Sequence, residues 1–187
     1  MTKAFLAALL LALAPAALAQ VDASIVPDDA PAWFGMEEAI AKAQAEDRVI
    51  LVYGYASWCG YCARFDANVF TDDAVQDYLN AHYAPTRLDL EDPETIQFFD
   101  ASVTGVELGQ AMAISGTPTS VFVDTDGALI TKFPGYTDAQ TFLYVLMYVH
   151  EEAYETTPFD AYVVAQRTGL SLTPAVDDLR APPPGQE

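Results

Sequence analysis

The chain of 187 residues is 52% hydrophobic and 12% aromatic, enough for one domain with a buried core and too apolar for a disordered acidic tail. Its 27 acidic and 8 basic residues leave a formal charge of -19, which argues against nucleic-acid and anionic membrane-surface partners. Two cysteines and two histidines rule out a disulfide framework and leave no ligands to spare for a Cys/His zinc site.

Residues 1–19 read as a secretory signal peptide. Lys3 supplies the positive start, Phe5 to Ala14 the short apolar run, and Ala17-Leu18-Ala19 a small-x-small cleavage site. Pro15 interrupts the run, which is too short for a bilayer span of about 20 residues. The expected product is exported to a compartment where disulfides persist, and is not inserted in the membrane after cleavage behind Ala19. Residues 20–32 read as a polar leader.

The domain is expected over residues 33–154. Met36, Ala39, Ile40 and Ala43 share a face, so Met36 to Glu46 is a predicted helix, followed by a buried strand from Arg48 to Tyr55. A turn at Ala56-Ser57-Trp58 leads into a helix that starts at CGYC. Thr71 or Asp72 caps the next helix, and Ala84 to Leu90 is a strand. Residues 94–101 (ETIQFFDA) are expected to be a short helix behind Pro93, with another short helix near Glu107–Met112. Thr119–Val123 and Ala128–Phe133 form a hairpin around Asp124-Thr125-Asp126-Gly127, and a long helix runs from Thr137 to Tyr154. Residues 155–187 are an extension, with a helix near Phe159–Gln166 and a loose end. The order of elements predicts an α/β fold, with a mixed sheet covered by helices on both faces.

The only two cysteines, Cys59 and Cys62, stand three apart where a strand gives way to a helix. That spacing puts both sulfurs on one helical face, and the helix N-terminus favours a thiolate on the first. A static clip explains little, because so short a loop gains little from closure. A metal site would need His82 or His150, and neither is near in sequence.

ASWCGYC behind a buried strand resembles the active site of the thioredoxin superfamily. Gly116-Thr117-Pro118-Thr119 before SVFVD is similar to that family's cis-proline loop, and Phe133-Pro134-Gly135-Tyr136 to its glycine after the final strand. The resemblance implies a thioredoxin-like three-layer α/β/α sandwich and a thiol–disulfide oxidoreductase. It makes Cys59 the nucleophile and Cys62 the resolving thiol, with no cofactor beyond their disulfide and no metal. Trp58, Tyr61, Thr117 and Pro118 are the implied substrate-binding residues, Pro118 being cis.

Exported members, including the C-terminal domains of DsbD-type transporters, look closest. They imply a monomer that reduces protein disulfides in the periplasm and is served by a membrane electron donor of the DsbD type. Gly60-Tyr61 also resembles periplasmic isomerases of the DsbC type, so an oxidase or isomerase is the alternative. Another class of reading is a copper or haem-maturation binding module, although no Met/His cluster lies near the thiols. Thioredoxin's buried aspartate is replaced by Tyr53. Asp66, one helical turn after Cys62, is the candidate substitute for its proton-shuttle role, against the plainer reading of a solvated helix charge.

Overall fold

The computed structural model describes residues 31–169. The signal peptide expected at 1–19, nearly all of the leader expected at 20–32, and the end of the expected extension from 170 lie outside them. Helix α1 (Met36–Glu46) precedes strand β1 (Val49–Tyr55), then α2 (Gly60–Asn68), α3 (Asp73–His82) and β2 (Tyr83–Asp89) follow. Next come β3 (Thr95–Phe98), β4 (Ala101–Thr104) and α4 (Gly105–Ala111). The chain continues through β5 (Thr119–Val123), β6 (Leu129–Pro134), α5 (Ala139–His150), a 3-10 turn at Ala153–Glu155 and α6 (Phe159–Thr168).

The main sheet has the order β2-β1-β5-β6. β1 runs parallel to β2 and antiparallel to β5, and β5 runs antiparallel to β6, so the sheet is mixed as expected. β1 is central and buried on both faces, which explains its continuous apolar run. Alternation sends Leu51 and Tyr53 to one face, where they meet Phe65 of α2, Leu79 of α3 and Phe142 of α5. Ile50 and Val52 go to the other, against Ala39 and Ala43 of α1 and Leu108 of α4. The result is the three-layer α/β/α arrangement.

Two expectations are corrected. Residues 94–101 are not a helix: β3 and β4 pair antiparallel as a two-stranded sheet, Thr95 opposite Thr104 and Phe98 opposite Ala101. Ile96, Phe98 and Val103 lie against the core on the α1 side, which a hairpin allows through period-two alternation. Phe99 makes the turn with φ of 49°. The long helix expected from Thr137 to Tyr154 is shorter. Asp138 caps it, its carboxylate accepting from the Thr141 N–H at 2.9 Å, and it ends at His150. Glu152, at φ 52°, turns the chain into the 3-10 segment. The helix expected in the extension is present as α6, and its Tyr162 ring packs 5.1 Å from that of Tyr148 on α5.

Candidate active site

The strand β1 delivers the chain to the site. Its last residues lead into a turn in which the Cys59 N–H donates to the Ala56 carbonyl at 3.0 Å. Cys59 is the N-cap of α2, and its Sγ accepts from the Cys62 N–H at 3.1 Å. That sulfur therefore sits where unpaired amides and the helix dipole favour negative charge. Cys59 and Cys62 are joined in a disulfide with Cα atoms 5.2 Å apart. Both residues are buried, Cys59 to 6% exposure and Cys62 to 3%.

The flanking aromatics are at the surface. Trp58 is 72% exposed and Tyr61 59%, so neither is a core residue. The Trp58 indole N–H donates to Glu91 Oε1 at 2.9 Å, and the Ser57 hydroxyl to Glu91 Oε2 at 3.3 Å. Glu91 follows β2, and its own N–H is held by Asp89 Oδ1 at 2.9 Å. Sequence reasoning missed Glu91, since nothing in the chain order links it to residues 57 and 58.

The Thr117–Pro118 peptide is cis. Register places this loop at the mouth, because Thr119 pairs with Gly54 near the end of β1. The Thr119 hydroxyl donates to the Gly116 carbonyl at 2.7 Å, and the Gly135 N–H donates to the Pro118 carbonyl at 2.8 Å. Gly135, at φ 88°, uses a conformation that side chains disfavour. Thr117 makes no hydrogen bond among the described residues, which leaves its backbone groups free for an incoming strand.

Asp66 lies on α2 at 4% exposure, which overturns the solvated reading. Both carboxylate oxygens accept from Arg87, at 2.9 and 3.0 Å. The Arg87 guanidinium also lies over the rings of Tyr55 at 4.5 Å and of Trp33 and Tyr53 at 5.2 Å. Arg87 is a second residue missed from the sequence; its signal is a single cation inside the otherwise buried run of β2. Tyr53, across the β1–β2 ladder from Arg87, is fully buried, and its hydroxyl has no hydrogen-bond partner among the described residues. Burial, reinforced by the charge of Asp66, pushes its phenol far above the ordinary tyrosine range. Asp66 is thus a clamped carboxylate, and Tyr53 a neutral phenol.

His82 and His150 lie against each other, ring centres 4.1 Å apart and planes tilted by 35°, at the ends of α3 and α5. Tyr83 next to His82 pairs with Val49, at the opposite end of β1 from the disulfide. Among the described residues no group of three or more His, Cys, Asp or Glu side chains could hold a metal. No helix among them is long and apolar enough to cross a membrane.

Residues 36–150 match the family profile described as a thioredoxin-like domain. The chain belongs to the thioredoxin-like family. Among curated proteins it is 29% identical over 108 residues to the thiol:disulfide interchange protein DsbD of Pseudoalteromonas atlantica, covering 57% of this chain and 17% of that one. It therefore spans less than a fifth of that relative's length. Among solved structures, a thioredoxin from Thermus thermophilus is 30% identical with a TM-score of 0.54, covering 64% of this chain and 87% of that one. A thioredoxin-fold protein from Helicobacter pylori superposes with a TM-score of 0.61 at 22% identity, covering 80% and 95%, and shows the fold alone. Family membership and the Cys59–Cys62 disulfide together support a thiol–disulfide oxidoreductase.

Proposed function

We propose that the protein reduces protein disulfides in the periplasm and is itself re-reduced by a membrane electron donor of the DsbD type. The observation that carries this reading is Cys59 Sγ at the N-terminus of α2, accepting from the Cys62 N–H. In the reduced protein that position lowers the thiol pKa and supplies thiolate near neutral pH. The likeness to DsbD supports the reducing direction and the donor, and the signal-peptide pattern read in residues 1–19 supports the compartment.

The Cys59 thiolate attacks one sulfur of a substrate disulfide. A Cys59–substrate disulfide forms, and the other substrate sulfur leaves as a thiolate that takes a proton. Cys62, its thiol giving up a proton, then attacks Cys59 Sγ. The Cys59–Cys62 bond closes and the second substrate thiol is released. Two electrons pass to the substrate, and an external dithiol must return them. Pro118 and the free backbone of Thr117 offer an edge along which an extended substrate strand lies, and Trp58 offers it an apolar contact. Asp66 is available as proton acceptor for Cys62 only where its hydrogen bonds to Arg87 yield.

Equilibration with glutathione, together with an insulin-reduction assay, tests the direction. A potential near about -270 mV with insulin reduction is expected, as for thioredoxin. A value near about -120 mV with no insulin reduced would make the protein an oxidant instead. Cys62→Ser should hold Cys59 on its partners as mixed disulfides that mass spectrometry identifies; a folded variant that accumulates none would refute the exchange mechanism.

A further inference from the structure

Among the described residues, all but one of the cations are accounted for by their neighbours. Among the described residues, Lys42 and Arg48 pair with Glu46, and Arg87 pairs with Asp66. Lys132 donates to the Met112 and Ala113 carbonyls behind α4, and Arg167 lies over Tyr144 with its charge acting on Asp138. Arg64 is different. It is exposed, and its guanidinium makes no ion pair or hydrogen bond among the described residues, although the chain carries 27 acids. Its guanidinium carbon stands 5.6 Å from the Tyr61 ring centre and 5.8 Å from that of Tyr136.

These three residues border the disulfide. Tyr61 lies between the two cysteines, and Arg64 follows one turn later on the same face of α2. Tyr136 follows Gly135, whose N–H is tied to the Pro118 carbonyl. The Tyr136 ring is held against Phe65 at 5.9 Å, edge to face, and against Tyr61 at 6.2 Å. Stacking uses the flat faces of a guanidinium and leaves its N–H edge to ligands; that edge matches a carboxylate with two parallel hydrogen bonds. The rings also hold the long side chain in place, which reduces the entropy lost when it binds.

We propose that Tyr61, Arg64 and Tyr136 form a specificity lip that takes the carboxylate of an aspartate or glutamate beside the reacting cysteine of an extended protein substrate. The inference rests on the exchange reaction above and names which protein disulfides it prefers. Charge complementarity carries it: among the described residues this guanidinium has no carboxylate partner, and it stands on the helix that begins at the nucleophile.

The test uses pre-reduced full-length protein and peptides whose single cysteine is blocked as a disulfide with 2-mercaptoethanol. Each reaction yields the oxidised protein, one peptide thiol and one mercaptoethanol, so electrons balance without another reagent. The peptides differ only in carrying acidic, neutral amide or lysine residues beside the cysteine. Rates are divided by those with dithiothreitol to remove intrinsic reactivity, at about 0.15 M salt to screen the net charge. An acidic-over-neutral ratio of about five is expected, the upper range for one exposed ion pair. The ratio should fall to about one in Arg64→Gln and below one in Arg64→Glu. Equal normalised rates for all peptides with the wild type, or a ratio unchanged in Arg64→Gln, would overturn the lip while leaving the exchange reaction standing. Failure of the wild type to reduce any peptide would instead overturn the exchange reading on which the lip depends.

Discussion

Asp66 and Arg87 share two hydrogen bonds where water scarcely reaches, under a cover of Trp33, Tyr53 and Tyr55. Removing one partner strands the other charge in a medium that solvates it poorly. Arg87→Met should therefore destabilise the protein by about 3 kcal/mol or more, read from urea unfolding. Replacing both, as Asp66→Leu with Arg87→Met, should recover much of that loss, because a buried pair offsets little more than its own desolvation. A single variant as stable as the wild type would show that the pair is solvated. Tyr53 is the counterpart case. Its hydroxyl is buried without a partner among the described residues, so Tyr53→Phe should unfold no earlier than the wild type, and within about 1 kcal/mol of it or above. That variant should also keep its disulfide-exchange rate, since a phenol held this far from titration moves no proton near neutral pH.

At the scale of elements, α4 is placed by what its first residue lacks. Gly105 opens the helix behind the Thr104–Glu107 capping box, and a Cβ there would run into the Asp89 carbonyl oxygen at the end of β2. That obstacle is backbone and cannot rotate away. Gly105→Ala should cost about 1–3 kcal/mol as an overpacking change, measured by the shift of the urea midpoint, whereas exposed Gly60, with open space around it, should accept alanine more cheaply. The sequence made α1, β1, α2 and β5 legible because periodicity, β-branched runs and caps agreed there. It failed at 94–101, where Pro93 and Glu94 look like a helix start. What decided that segment was the long-range pairing of Thr95-Ile96-Gln97-Phe98 with a second strand, which local propensity does not record. The site shows the same division. Cys59, Cys62 and the cis Thr117–Pro118 peptide belong to local motifs and could be read in order. Glu91 and Arg87 reach Trp58 and Asp66 across 33 and 21 residues, and only the folded chain shows that they meet.

For the whole molecule, acid acts on several groups in the same direction. Burial, then the neighbouring charges of His150 and Arg48, lowers the His82 pKa below its ordinary 6.5. The unfolded chain therefore takes up that proton first, and stability present above about pH 6.5 is lost as pH falls. Asp138, held low mainly by the Thr141 N–H, and Glu107, held low mainly by the Thr104 N–H, add losses at more acidic pH. Thermal unfolding should show a lower midpoint at pH 5.5 than at pH 7.5, and His82→Gln should narrow that gap. An equal gap in the variant would remove the contacting histidines at the ends of α3 and α5 from the explanation. Relief of repulsion among the carboxylates works in the opposite sense, and raised salt, which screens it, should leave the His82 contribution in place.

The exposed indole of Trp58 has a practical consequence. It sits one residue before a disulfide, and disulfides quench nearby indole emission. The chain contains one other tryptophan, Trp33, stacked edge to face on Phe70 at 4.8 Å. Fluorescence should brighten when the sulfurs separate and dim when they rejoin, so each turnover can be followed in real time without a dye, with Trp58→Phe as the dark control.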